Sequence, residues 1–415
     1  MSGAPPHSLP AIAESVRPGD AKRQSTIGLL YAIAATLAVL SWQAATVHIN
    51  YGGNWNALFM TGELYPVPPE LGAHTYIFPG SRGYDGQFYR YVAHAPWFRE
   101  DWAPYFDNPR LRYERILLPA LAWVLAAGQS RLVDGAYIGL ILCWIFLGTY
   151  WLGLLAVDEG HHPAWGLAFL LLPATLTSID RMTVDVALAA LCVAFVRYAK
   201  KQSPACVYLV LLLAPLVRDT GALLIAAQCG YDLWGRRWRR AAGFATAILP
   251  TAAWYVYVWK HVTVQTVGQM ERIPHLFPHW LLRYPLVGIF MEFFRPARYP
   301  FGPALNLALQ CADALALGGL LALMGAGIWG LRRHPWDVEQ WAILAFIGLA
   351  LFTSTPSFWR QVFSYGRPFS PLIFFAALRP MRSGELWVLV PVMLIVLRVL
   401  IQMTPQALGI LHAVL

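Results

Sequence analysis

Long apolar stretches recur from one end of this chain to the other, separated by short polar junctions. The first, Thr26–Val47, is long enough to cross about 30 Å of hydrocarbon. The segment His48–Glu114 then holds no apolar run able to span, and is rich in Tyr, Trp, Phe, Pro and Gly. Further apolar stretches are Ile116–Gly128, Asp134–Val157, Ala164–Thr177, Thr183–Ala199, Ala205–Val217 and Thr220–Trp234. Ala241–Trp259, Pro303–Leu331, Val338–Ser354, Arg367–Leu378 and Glu385–Ile401 complete the series. The pattern predicts an all-α, polytopic bundle of about 11–12 transmembrane spans with a large outer first loop. It divides the chain into a disordered cytoplasmic tail (1–25), a first span (26–47), a first outer loop (48–114) and a helix bundle (115–259). A second outer loop with interfacial helices (260–302) and C-terminal helices (303–415) follow.

Basic residues orient this pattern. Lys22 and Arg23 hold the N-terminal tail inside. Four junctions read as cytoplasmic by their Lys/Arg content: Arg197–Lys201, Arg236–Arg240, Leu331–Arg333 and Arg379–Arg382. Parity from an outer first loop to an inner Lys200 requires an odd number of crossings, and four candidate stretches lie between. Ile116–Gly128 is the shortest, below the roughly 17 residues a span needs, and reads as a re-entrant or interfacial helix. A tilted span starting near Leu111 is the competing reading. The junctions Ser178–Met182, Arg218–Thr220, Lys260–Gly302 and Thr355–Gly366 then share the outer side with the first loop. Prolines in Lys260–Gly302, among them Pro274, Pro278 and Pro285, predict short helices and loops there, with Leu286–Phe294 in the headgroup layer.

Composition agrees with a lipid solvent. The 415 residues are 58% hydrophobic and only 13% charged, with mean hydropathy +0.49, where an ordinary globular chain is roughly a quarter charged. The net charge of +9 is carried in short clusters between apolar stretches, so it reads as topology and not as a nucleic-acid surface. The five cysteines lie in apolar segments without a Cys-x-x-Cys pair, which argues against a disulfide framework or a zinc site. They read as small core residues. Phosphate-cradling glycine loops and a His-Glu-x-x-His pair are absent, so nucleotide-driven transport and zinc proteolysis have no foothold.

Candidate chemistry sits at the outer junctions. In Gly83–Ala93, Asp85 opens a predicted helix among Tyr84, Phe88, Tyr89 and Tyr91. A carboxylate in an aromatic, partly dry pocket can serve as general base, and aromatic faces suit sugar rings; equally, Asp85 can be the N-cap of a helix over Gln87–Ala93. Arg110, Arg112 and Arg115 can hold a lipid phosphate bidentately, or anchor to headgroups with ion pairs through Glu114. Asp180 and Asp185, flanking Arg181, fall near the start of the next helix, where the dipole favours carboxylates; Asp185 lies deeper, where ionisable groups are often functional. Asp219 and Thr220 read as N-caps, while Arg218 and Arg367 are cations at the membrane edge that need an anion.

At this point the chain resembles the C-type glycosyltransferase superfamily, nearest to little-characterised bacterial proteins of cell-surface glycopolymer formation. The resemblance rests on Gly83-Tyr-Asp-Gly-Gln-Phe-Tyr89, Asp107-Asn-Pro109, Tyr113-x-Arg115-Ile-Leu-x-Pro119, Arg218-Asp-Thr-Gly221 and Tyr365-Gly-Arg-Pro368. It covers most of the chain in layout. It implies a GT-C-like fold in the bacterial plasma membrane, with the site facing outward. It also implies transfer of a sugar from a polyprenyl-phosphate carrier to a glycan, lipid or protein acceptor. Asp85 would be the base, with Arg218, Arg367, Arg112 and Arg115 on the lipid phosphate. Tyr84, Gln87, Tyr89, Asp180, Arg181 and Asp185 complete the expected substrate site. The superfamily's paired acids are missing because Gly86 follows Asp85, and Asp180 or Asp185 is the candidate for a second carboxylate. No cofactor is expected, and a divalent metal is left open. A lipid-linked glycan transporter, a glycan polymerase and a non-catalytic assembly subunit are the competing functions.

Overall fold

A computed structural model describes residues 18–262, 284–294, 296–331, 336–354 and 356–415. Pro274, Pro278, Arg332 and Arg333 lie outside these residues. The described chain is almost all helix; its strands are two short pieces, Thr61–Gly62 and Ile77–Phe78, paired in parallel. The first helix already begins at Pro18, so residues 18–25 belong to it and not to the expected tail.

Among the described residues, four helices are long and apolar enough to cross a membrane: Lys22–Asn50, Ser130–Asp158, Trp238–His261 and Pro303–Gly330. Leu386–Ile401 and Thr404–Ala413, bent by 51° at their break, make a fifth if taken as one span. Leu29, Leu30 and Leu37 on the first helix, and Leu305, Leu307 and Leu315 on Pro303–Gly330, point outward and exposed. An apolar outer surface of this extent suits lipid.

The count of 11–12 spans is corrected by breaks that hydropathy does not register. Ala164–Thr177 is not one helix: a 3-10 helix, Pro163–Leu171, gives way at Leu172 to the helix Pro173–Arg181. Pro173 lacks the N–H a continuous helix would use. Other apolar stretches form helices of 13 to 16 residues: Asp185–Lys200, Pro204–Val217, Ala222–Trp234, Val338–Phe352 and Ser370–Ser383. At about 1.5 Å per residue these reach roughly 20–24 Å. Asp185–Lys200 is buried on every side from Asp185 to Val196, as a helix apolar all round must be. Ile116–Gly128 holds only the nine-residue helix Leu117–Leu125. Arg115 (φ −96°, ψ 57°) separates it from the helix Pro109–Glu114, so no tilted span starts near Leu111. The seven-residue helix Val287–Phe293 occupies the predicted interfacial stretch, with Phe290 and Phe294 exposed beside it. All five cysteines are free, but Cys143 and Cys311 face outward and do not belong to the core.

The junctions sort into two ends. At one end Lys200 and Arg382 both meet Glu159, Arg382 also meets Glu339, and Lys201 lies 3.3 Å from Asp158. These residues come from junctions with one expected sidedness. Of the junctions expected on the other side, Ser178–Met182, Arg218–Thr220 and the described residues 356–366 gather at the opposite end with the first loop, as the contacts Arg218–Asp185, Arg181–Phe363 and Arg367–Asp85 show.

The first loop is folded against that end. Its helix Asp85–His94 is fixed by Arg90, which grips both oxygens of Asp134 at 2.8 and 2.9 Å, and by His94 at 3.0 Å from the same carboxylate. Tyr113 donates to the Ala95 carbonyl at 2.8 Å, and Trp254 donates to the Tyr113 carbonyl at 2.7 Å. Phe88, Tyr91, Trp102, Phe106 and Tyr113 form the loop's own apolar core. Two glycines permit the fold locally. Gly83 has φ +70° and lies against Gly62, leaving no room for a Cβ on either. A Cβ on Gly86 would stand 2.2 Å from the Arg181 carbonyl oxygen.

Candidate active site

The sequence places Asp85 at the first position of its helix, and the backbone there decides between its two expected roles. Tyr84 is the N-cap residue, and no side chain caps this helix. Asp85 is therefore not a helix cap. Its Oδ1 accepts from Arg112 at 3.0 Å and its Oδ2 from Arg367 at 2.9 Å. Asp219 and Thr220 are not side-chain caps either: neither the 3-10 turn Asp219–Gly221 nor the helix Ala222–Trp234 has a side-chain cap. Arg218 stands extended between two helices (φ −158°, ψ 140°), which turns its guanidinium into the protein. There it meets Asp185, the first residue of the central helix, whose other oxygen accepts from Arg367 at 3.3 Å.

These contacts close into a ring of alternating charge. Asp107 holds Arg112 through two hydrogen bonds of 2.9 and 2.6 Å. Arg112 bonds Asp85, Asp85 bonds Arg367, Arg367 bonds Asp185, and Asp185 bonds Arg218. Arg218 lies 3.9 Å from Asp219, and Asp219 accepts from Arg115 at 3.2 Å. The Tyr89 hydroxyl completes the circuit, accepting from Arg115 at 2.8 Å and from Arg112 at 3.4 Å. Four arginines, three aspartates and Tyr89 make the closed circuit and Asp107 braces Arg112 from outside it, all drawn from five separate stretches of chain. Each arginine is nearly buried, whereas Asp85, Asp107 and Asp219 retain exposed edges of 20 to 33%.

The expected site residues divide on this geometry. Asp85, Asp185, Arg112, Arg115, Arg218 and Arg367 meet in the ring. Tyr89 is fully buried behind it and positions two arginines, so its ring offers no face to a sugar. Gln87 is also fully buried: its Oε1 accepts from the Gly62 amide and its Nε2 donates to the Arg82 carbonyl. It shapes the loop and does not reach substrate. Asp180 lies in the last turn of the helix Pro173–Arg181 and not at a helix start, so the dipole does not favour it. It sits 3.4 Å from Arg181 and 3.3 Å from Gln406, beside the ring. Arg181 rests on the faces of Tyr84 (4.7 Å) and Phe363 (5.2 Å), and Arg367 lies 4.8 Å from the same Tyr84 ring. The Tyr84 hydroxyl is buried without a hydrogen-bond partner among the described residues.

Asp107 and Asp219 belong to the site although the sequence pointed to them only as part of a motif and as a helix cap, and Glu114 lies beside them. Asp107 and Asp219 lie beside arginines that were selected, and the excess of nearby cations was the available signal. Glu114 forms no ion pair with the loop arginines among the described residues, contrary to the expected headgroup-anchoring pairs. Burial, together with the Asp219 carboxylate, pushes its carboxyl up to about 7. Asp85 behaves oppositely: burial alone would raise it, but Arg112 and Arg367 outweigh burial and hold it well below the usual carboxylate range. Burial pushes the Tyr84 phenol up to about 12. Guanidiniums surround the ring's carboxylates, so the cluster suits an anionic ligand better than a bound cation.

Neither a protein-family model, nor a curated protein sequence, nor a solved structure matches this chain.

Proposed function

We propose that this chain is a GT-C-like membrane glycosyltransferase of the bacterial plasma membrane. It moves a sugar from a polyprenyl-phosphate carrier to a cell-surface glycan, lipid or protein acceptor on the outer side. One observation carries the reading: the short motifs between Gly83 and Pro368 that resemble the superfamily converge in a single arginine–aspartate ring. That ring lies at the end of the bundle opposite Lys200 and Arg382, and the positive-inside rule supports reading that end as the outer one.

In this reading Arg218 and Arg367 hold the carrier phosphate, with Arg112 and Arg115 behind them. Asp85 takes the proton of an acceptor hydroxyl. The acceptor oxygen bonds to the anomeric carbon as the carbon–phosphate oxygen bond breaks, and the electron pair leaves on the phosphate. Guanidiniums fixed in advance stabilise that growing charge. Direct displacement of this kind inverts the anomeric centre.

The test is rescue of a deletion strain with wild type or Asp85→Asn at matched membrane expression, with the surface glycan analysed. Failure of the Asn variant, with loss of sugar transfer from a polyprenyl-phosphate donor in isolated membranes, supports the enzyme. Full rescue by the Asn variant removes Asp85 as the base.

One observation favours a second reading, a lipid-linked glycan transporter. Asp313, inside the helix Pro303–Gly330, is paired at 2.7 Å with the buried Arg398. Arg398 also donates to the Tyr299 hydroxyl at 2.8 Å. Ion pairs within membrane-length helices often mark transport paths. A transporter would lose activity in Asp313→Asn and would translocate intact carrier without cleaving it.

A further inference from the structure

Asp85 and Asp185 use their oxygens in the same way. Each oxygen of each carboxylate meets a different guanidinium, and Arg367 is shared between them. A carboxylate bridging two guanidiniums presents two anionic oxygens where a phosphate would present its own. The two aspartates differ in depth. The Asp185 side chain is 1% exposed at the start of the central helix, whereas Asp85 is 20% exposed at the mouth, two residues after Gly83 at φ +70°.

We propose that Asp85 is an internal surrogate for the phosphate group, occupying the Arg112–Arg367 fork in the resting protein until a phosphate headgroup displaces it. This rests on the phosphate site proposed above, of which Arg367 is the shared member, and it makes Arg112 a direct contact of the phosphate instead of a residue behind it. Two further groups stand ready for the incoming anion. Arg181, paired through its Nε with Asp180 at 3.4 Å, lays its guanidinium on the same Tyr84 ring as that of Arg367. The buried Tyr84 hydroxyl is an unused donor. Arg181 makes the first contact, and Arg367 and Arg112 then exchange carboxylate for phosphate.

The exchange couples binding to chemistry. Clamped by two guanidiniums, Asp85 is a weak base. Displaced by the donor phosphate, it loses both cationic partners and recovers basicity. Proton acceptance is therefore confined to the donor-bound state.

The surrogate makes an unusual prediction: a variant that loses transfer binds the donor headgroup more tightly. Full-length protein in lipid nanodiscs would be titrated with farnesyl phosphate, farnesol and inorganic phosphate. Asp85→Asn and Asp85→Ala, either of which suffices if the other is not monodisperse, should bind farnesyl phosphate about tenfold tighter or more, the scale of one charge-assisted hydrogen bond. Farnesol should not distinguish them from wild type. Adding Arg367→Ala to Asp85→Asn should abolish the gain. Equal or weaker binding of farnesyl phosphate by the Asp85 variants, with wild type binding normally, overturns the surrogate and leaves the phosphate site standing. Absence of farnesyl phosphate binding in every form overturns both. Inorganic phosphate binding as tightly as farnesyl phosphate keeps the surrogate but removes the lipid carrier as its ligand.

Discussion

Asp85 and Arg367 stand 282 residues apart in the chain and meet at 2.9 Å. The contact joins the first loop to the entry of the helix Ser370–Ser383, and so ties the catalytic candidate to the membrane bundle. Arg367 is itself held from behind, its Nε donating to the Phe363 carbonyl at 2.8 Å.

Removing either deep arginine takes a guanidinium from the proposed phosphate site and leaves the buried Asp185 with one cation instead of two, so its effect is read per folded molecule. Arg218→Ala and Arg367→Ala are each expected to slow transfer from a polyprenyl-phosphate sugar by roughly two orders of magnitude. Rates in isolated membranes, normalised to protein level, check this. Wild-type turnover in both variants would refute the assignment.

Gly86→Ala tests the docking of the loop on the bundle. The new methyl would meet the Arg181 backbone oxygen at 2.2 Å, and a backbone atom cannot swing aside as a side-chain tip can. Overpacking of this kind costs about 1–3 kcal/mol or more. Thermal unfolding in detergent should show a lowered midpoint, with activity lost alongside. An unchanged midpoint would mean that the loop does not sit on Arg181.

Glu114 gives a pH prediction of definite sign. Its folded-state value of about 7 lies above the ordinary 4.5, so the folded protein retains a proton that the unfolded chain gives up. The resulting stabilisation is complete below about 4.5 and is lost as pH rises through 7. Glu114→Gln should therefore flatten the decline in melting temperature between these pH values and exceed wild type at pH 8. Parallel melting curves for the two proteins across that range would contradict the assignment.

At the far end of the bundle, Arg382 serves Glu159 and the buried Glu339 together. Arg382→Ala leaves those carboxylates without their shared cation, a loss of roughly 3–5 kcal/mol for a buried pair. Melting temperature should fall while transfer per folded molecule is retained, which separates this end from the site.

Much of this organisation was legible in the sequence because hydropathy and charge report on solvent. The basic junctions around Lys200 and Arg382 do share one end, and those around Asp185, Arg218 and Arg367 share the other. Continuity of helices was less legible: Pro173 interrupts the apolar stretch Ala164–Thr177, and hydropathy does not register a missing N–H. Direction was not legible at all. Tyr89 and Gln87 flank the site in sequence, yet both point into the protein, because a local pattern shows that a helix is aromatic and polar but not which neighbours cover each face. The cap assigned to Asp219 failed for a related reason. A carboxylate before a helix competes for any nearby guanidinium, and Arg115, 104 residues away, won.

The short helices around the site carry a consequence for the bilayer. Helices of 13 to 16 residues fall roughly 6–10 Å short of a hydrocarbon core about 30 Å thick. Asp185–Lys200 is shielded by its neighbours, but where a short helix faces outward, as at Leu209 and Phe352, a surrounding membrane would have to thin or admit water, while the long helices Ser130–Asp158 and Pro303–Gly330 offer full-length apolar faces elsewhere. In the membrane reading proposed above, the arginine–aspartate ring would then lie at the floor of a local depression in the bilayer. A lipid whose charged headgroup rides at the ordinary surface level would have to sink to reach it. Acyl-chain length in the host membrane then becomes a control on access: thin bilayers bring headgroups down to the ring, and thick ones hold them away.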